Sequence, residues 1–225
     1  GGSTDTLVSN YLSSRCHCSL QTAELIKLWS LVNLFSLLGL TVYLYGIGYT
    51  MSYFTNYTLI ITCLTVGWSF KLNFIHQEKY KRGSLEKKKK LLENQLGDLA
   101  VYHIAYSISL VFNLATTVLY WLLLHDEVMD IYDGQKLKKV QQCVVHSLPM
   151  TICLGNHYIS PCRLEPKVFW ALFHLGNVYM AINFIQTKTW GKPVYDFLPW
   201  TSIADSLPFC IVFYGGMSAA YFLLC

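Results

Sequence analysis

His146 stands three residues before Pro149 in a long apolar stretch, a setting where an ionisable side chain is costly to place and is usually functional. A hydroxyl nucleophile is inert until a base takes its proton, and a neutral imidazole is the usual base. Pro149 has no N–H, so a helix running through it leaves the carbonyl of Val145 without its usual partner. Inside a bilayer that carbonyl must find another donor or line a polar cavity. A hydroxyl and a carboxylate at the same depth would complete a hydrolytic group. Thr58 is the candidate nucleophile, and Asp205 the candidate carboxylate to orient the ring. Thr55, Thr62, Thr117, Thr201, Ser147 and Ser206 offer hydroxyls at similar depth. The competing reading is structural, because polar residues in spans often do no more than hydrogen-bond across helices, at about 0.6–2 kcal/mol per bond. A proton relay or a metal ligand is a third.

Apolar stretches must position these residues. The chain is 53% apolar and 13% charged, with mean hydropathy +0.36, against about 25% charged for an ordinary soluble domain. Six segments, at residues 24–49, 56–75, 96–124, 140–159, 168–185 and 200–224, are near the ~20 residues needed to cross a bilayer as helix. The expectation is an all-α polytopic membrane protein, a bundle of six transmembrane helices. Residues 1–23 would form a cytosolic amino-terminal segment and 24–225 the transmembrane domain, with no room for a soluble one. No secretory signal pattern precedes the first span, which is expected to act as its own insertion signal.

Lys and Arg set the orientation. A short loop between the second and third segments carries Lys79, Lys81, Arg82 and the run Lys87-Lys88-Lys89-Lys90, and such loops stay in the cytosol. With Arg15, Lys27, Lys71, Arg163 and Lys167, twelve basic residues fall on that side, against five on the other. Both termini are then cytosolic, in the endoplasmic reticulum or plasma membrane. The net charge of +4 thus reflects topology and contact with membrane lipids, not nucleic acid. At 1.5 Å per residue, His146 lies about 9 Å in from the lumenal face and Asp205 about 7 Å. Thr58 falls in the first turn of its segment, so the three share one layer.

The cysteines form no metal pattern and no cofactor is called for. Cys16-His17-Cys18 is too closely spaced for a zinc site and reads as cytosolic thiols open to acylation. Cys63, Cys153, Cys210 and Cys225 read as packing residues. Gly215 with Ala219, and Gly216 with Ala220, form a small-residue face for a neighbouring helix, either in the same chain or across a homodimer.

Several segments resemble a known family. They are Asn56-Tyr57-Thr58-Leu59-Ile60-Ile61, Lys81-Arg82-Gly83-Ser84 with its lysine run, Gly97-Asp98-Leu99, Val145-His146-Ser147-Leu148-Pro149, and the stretch Trp190-Gly191-Lys192-Pro193-Val194-Tyr195-Asp196-Phe197-Leu198. In order and spacing these resemble the androgen-induced protein and androgen-dependent TFPI-regulating protein family. The resemblance implies a six-span membrane threonine hydrolase acting on fatty acid esters of hydroxy fatty acids, with Thr58 and His146 at the positions of the family's threonine and histidine. The chain departs from the family pattern at Gln142, Cys143, Ser147 and Asp196. Ser30, another hydroxyl that an alignment would offer, enters from the cytosolic side, away from His146.

The expected function is therefore hydrolysis of a lipid ester reached from within the bilayer, with Thr58 attacking and His146 moving the proton. The alternatives are a non-catalytic lipid-binding or scaffold protein and a small proton-coupled transporter. A deep cavity joining hydroxyl and imidazole distinguishes the enzyme.

Overall fold

The computed structural model describes residues 20–80, 96–159, 164 and 166–224. The amino-terminal cysteines, Arg163, Cys225 and the basic residues from Lys81 to Lys90 lie outside the described residues, while Lys79 falls at the end of α2. Within them all regular structure is helical. In chain order the helices are α1 (Leu20–Thr50), α2 (Phe54–Tyr80), α3 (Leu96–Leu119), α4 (His125–Ile131), α5 (Lys136–Ile159), α6 (Phe169–Trp190) and α7 (Ile203–Leu224). A π-helical turn, Tyr120–Leu124, joins α3 to α4, and a 3-10 turn, Pro166–Val168, leads into α6.

Three helical stretches, Gln21–Thr50, Gly97–Ile131 and Ile203–Leu224, are long and apolar enough to cross a bilayer. Of the six expected spans these account for the first, third and sixth. Helices α2, α5 and α6 have spanning length, at 27, 24 and 22 residues. Their apolar character is diluted by polar side chains turned inward: α2 alone buries Thr55, Asn56, Thr58, Thr62, Thr65 and Ser69.

Helix α1 shows the polarity of the whole. It buries Lys27, Ser30 and Thr41 while Leu25, Trp29, Val32, Phe35 and Tyr43 are exposed. A water-soluble helix does the reverse, so the outer surface suits lipid. The buried hydroxyls are satisfied locally. Thr41 donates to the Leu37 carbonyl at 2.8 Å, Thr65 to Ile61 at 2.8 Å and Ser107 to His103 at 2.9 Å, each one turn back along its own helix. Others tie helices together. Asn113 Nδ2 donates to Thr62 Oγ1 at 2.7 Å, and Ser109 Oγ lies 2.9 Å from Thr62 Oγ1 and 3.1 Å from Cys153 Sγ. That cluster joins α2, α3 and α5 where no hydrophobic effect between helices operates in lipid.

Two apolar clusters flank the polar seam. Leu34, Leu37, Leu59, Val66, Val145 and Ile152 pack between α1, α2 and α5. An aromatic cluster including Phe54, Tyr106, Phe112, Tyr179, Phe213 and Tyr221 fills the space between α2, α3, α6 and α7. Helices α6 and α7 approach at Gly176, where an added Cβ would lie 3.3 Å from Tyr214 and 3.4 Å from Phe213 and Met217. The small-residue face expected on α7 does not make this contact. Gly215, Gly216 and Ala219 are exposed, and only Ala220 reaches the core.

One glycine kinks α1 near its end. Gly46 interrupts α1 with φ 78° and ψ 161°, a backbone conformation essentially reserved for glycine. The kink redirects the last turn, in which Thr50 Oγ1 donates to the Gly46 carbonyl at 2.8 Å and the Thr50 carbonyl accepts from Asn56 Nδ2 at 2.8 Å. Gly46→Ala is expected to lower stability by about 1–3 kcal/mol through backbone strain. Gly39→Ala, in regular helix with nothing near its Cβ position, should be neutral or stabilising. Thermal unfolding of the detergent-solubilised protein checks both, and equal effects of the two changes would refute the strain at Gly46.

Candidate active site

The site forms where the first turn of α2 meets the middle of α5. His146 is buried, and its Nε2 lies 3.0 Å from Thr55 Oγ1. Its other ring nitrogen, Nδ1, lies 2.8 Å from the backbone carbonyl of Gln142, one turn back on α5. A carbonyl oxygen only accepts, so Nδ1 carries the proton and Nε2 presents a lone pair. The Thr55 hydroxyl therefore donates to Nε2. This is the polarity that a hydroxyl nucleophile and its base require.

Helix geometry and aromatic packing hold the ring in place. Tyr120 stacks on it with ring centroids 3.8 Å apart and an interplanar angle of 9°. Tyr120 occupies the first position of the π turn, where the His125 N–H reaches back to the Tyr120 carbonyl. The extra residue of that turn re-aims the side chains around it, the usual use of such bulges near functional sites. Thr117 Oγ1 donates to the His146 carbonyl at 2.6 Å, beside the carbonyl of Val145 that Pro149 deprives of its N–H. Helix α5 runs through Pro149 without a break.

The hydroxyl brought to His146 is thus Thr55, not Thr58. Thr58 is fully buried, donates to the Thr55 carbonyl at 2.7 Å, and lines neither cavity described below. The two threonines are three residues apart on one helix, and the register of α2 against α5 selects the earlier. Asp205 does not orient the ring either. It is exposed and accepts from Thr201 Oγ1 at 2.5 Å and Ser202 Oγ at 2.8 Å, closing the start of α7. The Gln142 carbonyl takes the role assigned to it. Ser30 donates to the Ile26 carbonyl at 2.8 Å, within its own helix.

Two cavities meet at Thr55 and His146. The larger, about 200 Å³, is walled by Tyr45, Tyr49, Tyr53, Tyr132, Gln141 and Gln142, with Glu127 and Asp196 also lining it. The smaller, about 40 Å³, is lined chiefly by Phe54, Leu119, Tyr179, Phe197, Phe209 and Phe213. Tyr120, Leu124 and Tyr195 border both. One cavity is polar and phenolic, the other apolar.

No family model, curated protein or solved structure matches the chain.

The polar wall is fixed by its own hydrogen bonds. Gln141 Nε2 donates to Thr41 Oγ1 at 2.8 Å, Tyr45 Oη to Gln141 Oε1 at 3.2 Å, and Gln142 Nε2 to Tyr45 Oη at 3.0 Å. Tyr49 and Tyr132 pair through their hydroxyls at 3.3 Å. Burial holds the phenols of Tyr53, Tyr132 and Tyr195, all outside the long helices, above their ordinary pKa, so they stay protonated. The Lys138 ammonium lies 5.7 Å and 5.4 Å from the rings of Tyr45 and Tyr132, within cation–π range. Nearby, Lys139 bonds Asp133 at 2.9 Å and holds that carboxyl below its usual pKa.

Sequence reasoning passed over Tyr120, Tyr195 and the Tyr45–Tyr49–Tyr53 wall. The spacing of four between Tyr45 and Tyr49 was a readable signal, since residues four apart in one helix share a face, whereas Tyr53 lies between α1 and α2. His146 is expected as the Nδ1–H tautomer, which ¹⁵N spectra of histidine-labelled protein read directly. An Nε2–H signal for His146 would remove the base.

Proposed function

We propose that the protein is an intramembrane lipid ester hydrolase in which Thr55 is the nucleophile and His146 the base. The observation that carries this reading is the 3.0 Å bond from Thr55 Oγ1 to an imidazole whose tautomer is fixed by a carbonyl, at the junction of two cavities. In the reaction, Thr55 Oγ attacks the ester carbonyl as its proton passes to His146 Nε2. The imidazolium keeps its Nδ1–H bond to Gln142 and returns the Nε2 proton to the departing alkoxide. Water then attacks the acyl-threonine, with His146 again taking and returning a proton, and releases the acid.

The six long helices form one bundle in this reading, with both termini cytosolic and the site in the opposite half of the membrane. The exposed apolar side chains of α1 and the buried hydroxyls of α2 support a bundle within a membrane. Fatty acid esters of hydroxy fatty acids, the class implied by the family resemblance, carry an apolar chain on each side of the ester. A junction with one cavity on each side suits that shape. A scaffold would need no hydroxyl in reach of His146, and Thr55 supplies one.

A fluorophosphonate probe tests the mechanism because it traps activated hydroxyls. Wild-type protein should label, Thr55→Ala and His146→Ala should lose about 10²–10⁴-fold in rate, and Thr58→Ala and Asp205→Asn should label normally. Loss in Thr58→Ala with retention in Thr55→Ala would reverse the assignment. An unlabelled wild type would remove the enzyme.

A further inference from the structure

Building on the ester-hydrolase reading, we propose that the phenol of Tyr195 donates the hydrogen bond that stabilises the oxyanion formed when Thr55 attacks the ester carbonyl. Such a donor must sit at the reacting carbonyl, hold its proton, and be fixed before the charge develops.

Tyr195 meets each requirement. It lines both cavities at their junction, with Thr55 and His146. Its Oη accepts the backbone N–H of Phe54, the residue next to Thr55, at 3.1 Å, and the hydroxyl of Tyr179 at 3.5 Å. Both neighbours act as donors to it, with Tyr179 sharing its one proton with the Ser52 carbonyl at 3.3 Å, and the Tyr195 proton is left for another partner. Donors on its oxygen also polarise its O–H and strengthen what it gives. The ring is held edge-on to Tyr53 at 5.5 Å and stacked on Phe197 at 5.0 Å. Burial keeps the phenol protonated at neutral pH.

Two other polar groups of the site are committed elsewhere. Tyr120, which also borders both cavities, has its hydroxyl 3.4 Å from His125 Nδ1 and its ring against His146. Asn56 Nδ2 donates to the Thr50 carbonyl. The start of α2 adds the positive end of a helix dipole on the same side as Thr55.

The electron count is simple. As the Thr55 Oγ–C bond forms, the carbonyl π pair moves to oxygen, where the Tyr195 O–H meets it. When the C–O bond to the leaving alcohol breaks, that pair returns to the carbonyl, and Tyr195 has neither gained nor lost its proton.

The experiment compares wild type, Tyr195→Phe and protein with 3,5-difluorotyrosine at 195, all full-length in nanodiscs, hydrolysing a long-chain p-nitrophenyl ester. Tyr195→Phe is expected to lower kcat about 10²-fold with KM changed less than about threefold. A long-chain trifluoromethyl ketone, which forms an oxyanion adduct with the nucleophile, should lose affinity by the same factor. The fluorinated phenol keeps the acceptor for Phe54 and the donor, so it should restore kcat. A purely structural role predicts instead a raised KM, a lowered Tm and no selective loss of ketone affinity. If Tyr195→Phe turns over within threefold of wild type, or the fluorinated protein stays as slow as Tyr195→Phe, the assignment falls while the Thr55–His146 mechanism stands. A wild type that never turns over removes both.

Discussion

One hydrogen bond sets the chemistry of the site: His146 Nδ1–H to the carbonyl of Gln142, four residues earlier on the same helix. Because the acceptor belongs to the backbone of α5, it needs no second residue to hold it and no charge in the bilayer. A carboxylate in that position would carry a desolvation cost of several kcal/mol. The backbone carbonyl performs the same orienting task as a neutral dipole. With Nδ1 occupied, Nε2 must accept, and the Thr55 hydroxyl is the donor that reaches it. Tyr120, at the start of the π turn, stacks on the ring and holds it in that orientation.

The all-helical class and the approximate positions of the long helices were legible in the sequence, because apolar length is a one-dimensional signal, and His146 stood out by its place beside Pro149 within such a stretch. The choice between Thr55 and Thr58 was not. Both lie in the first turns of α2, at nearly the same depth, and differ by their angle around the helix, which only packing against α5 decides. Asp205 was expected at the depth of His146 as well, but it is exposed and its carboxylate is taken up by capping bonds with Thr201 and Ser202. Depth restricts candidates to a layer, whereas azimuth selects among them. Three of the six expected spans, α2, α5 and α6, fall short on apolarity alone, since each buries polar side chains. The π turn had no clear sequence mark at all.

The two cavities give the proposed reaction a direction. An ester lying across Thr55 divides into an acyl side and an alcohol side, and the walls differ in what they tolerate. The aromatic cavity, with Phe54, Phe197, Phe209 and Phe213, offers no comparable set of hydrogen-bonding partners for a hydroxyl. The tyrosine cavity offers several. An alcohol product would therefore leave by the phenolic side, and the acyl chain would stay against the aromatic rings on Thr55.

Water is the reactant that a membrane withholds. The second half of the reaction needs one molecule beside His146 after the alcohol has gone, and a water in an apolar cavity lacks the two to four polar partners that hold it. The phenolic cavity, lined by Gln142, Tyr45 and Tyr49 and bordered by Glu127 and Asp196, has such partners along its length. In the proposed reaction, the wall that releases the alcohol would also admit the water that replaces it. Helices with buried hydroxyls look poorly suited to a bilayer when judged by apolarity, yet in the proposed reaction they are the ones that would bring water to an ester inside it.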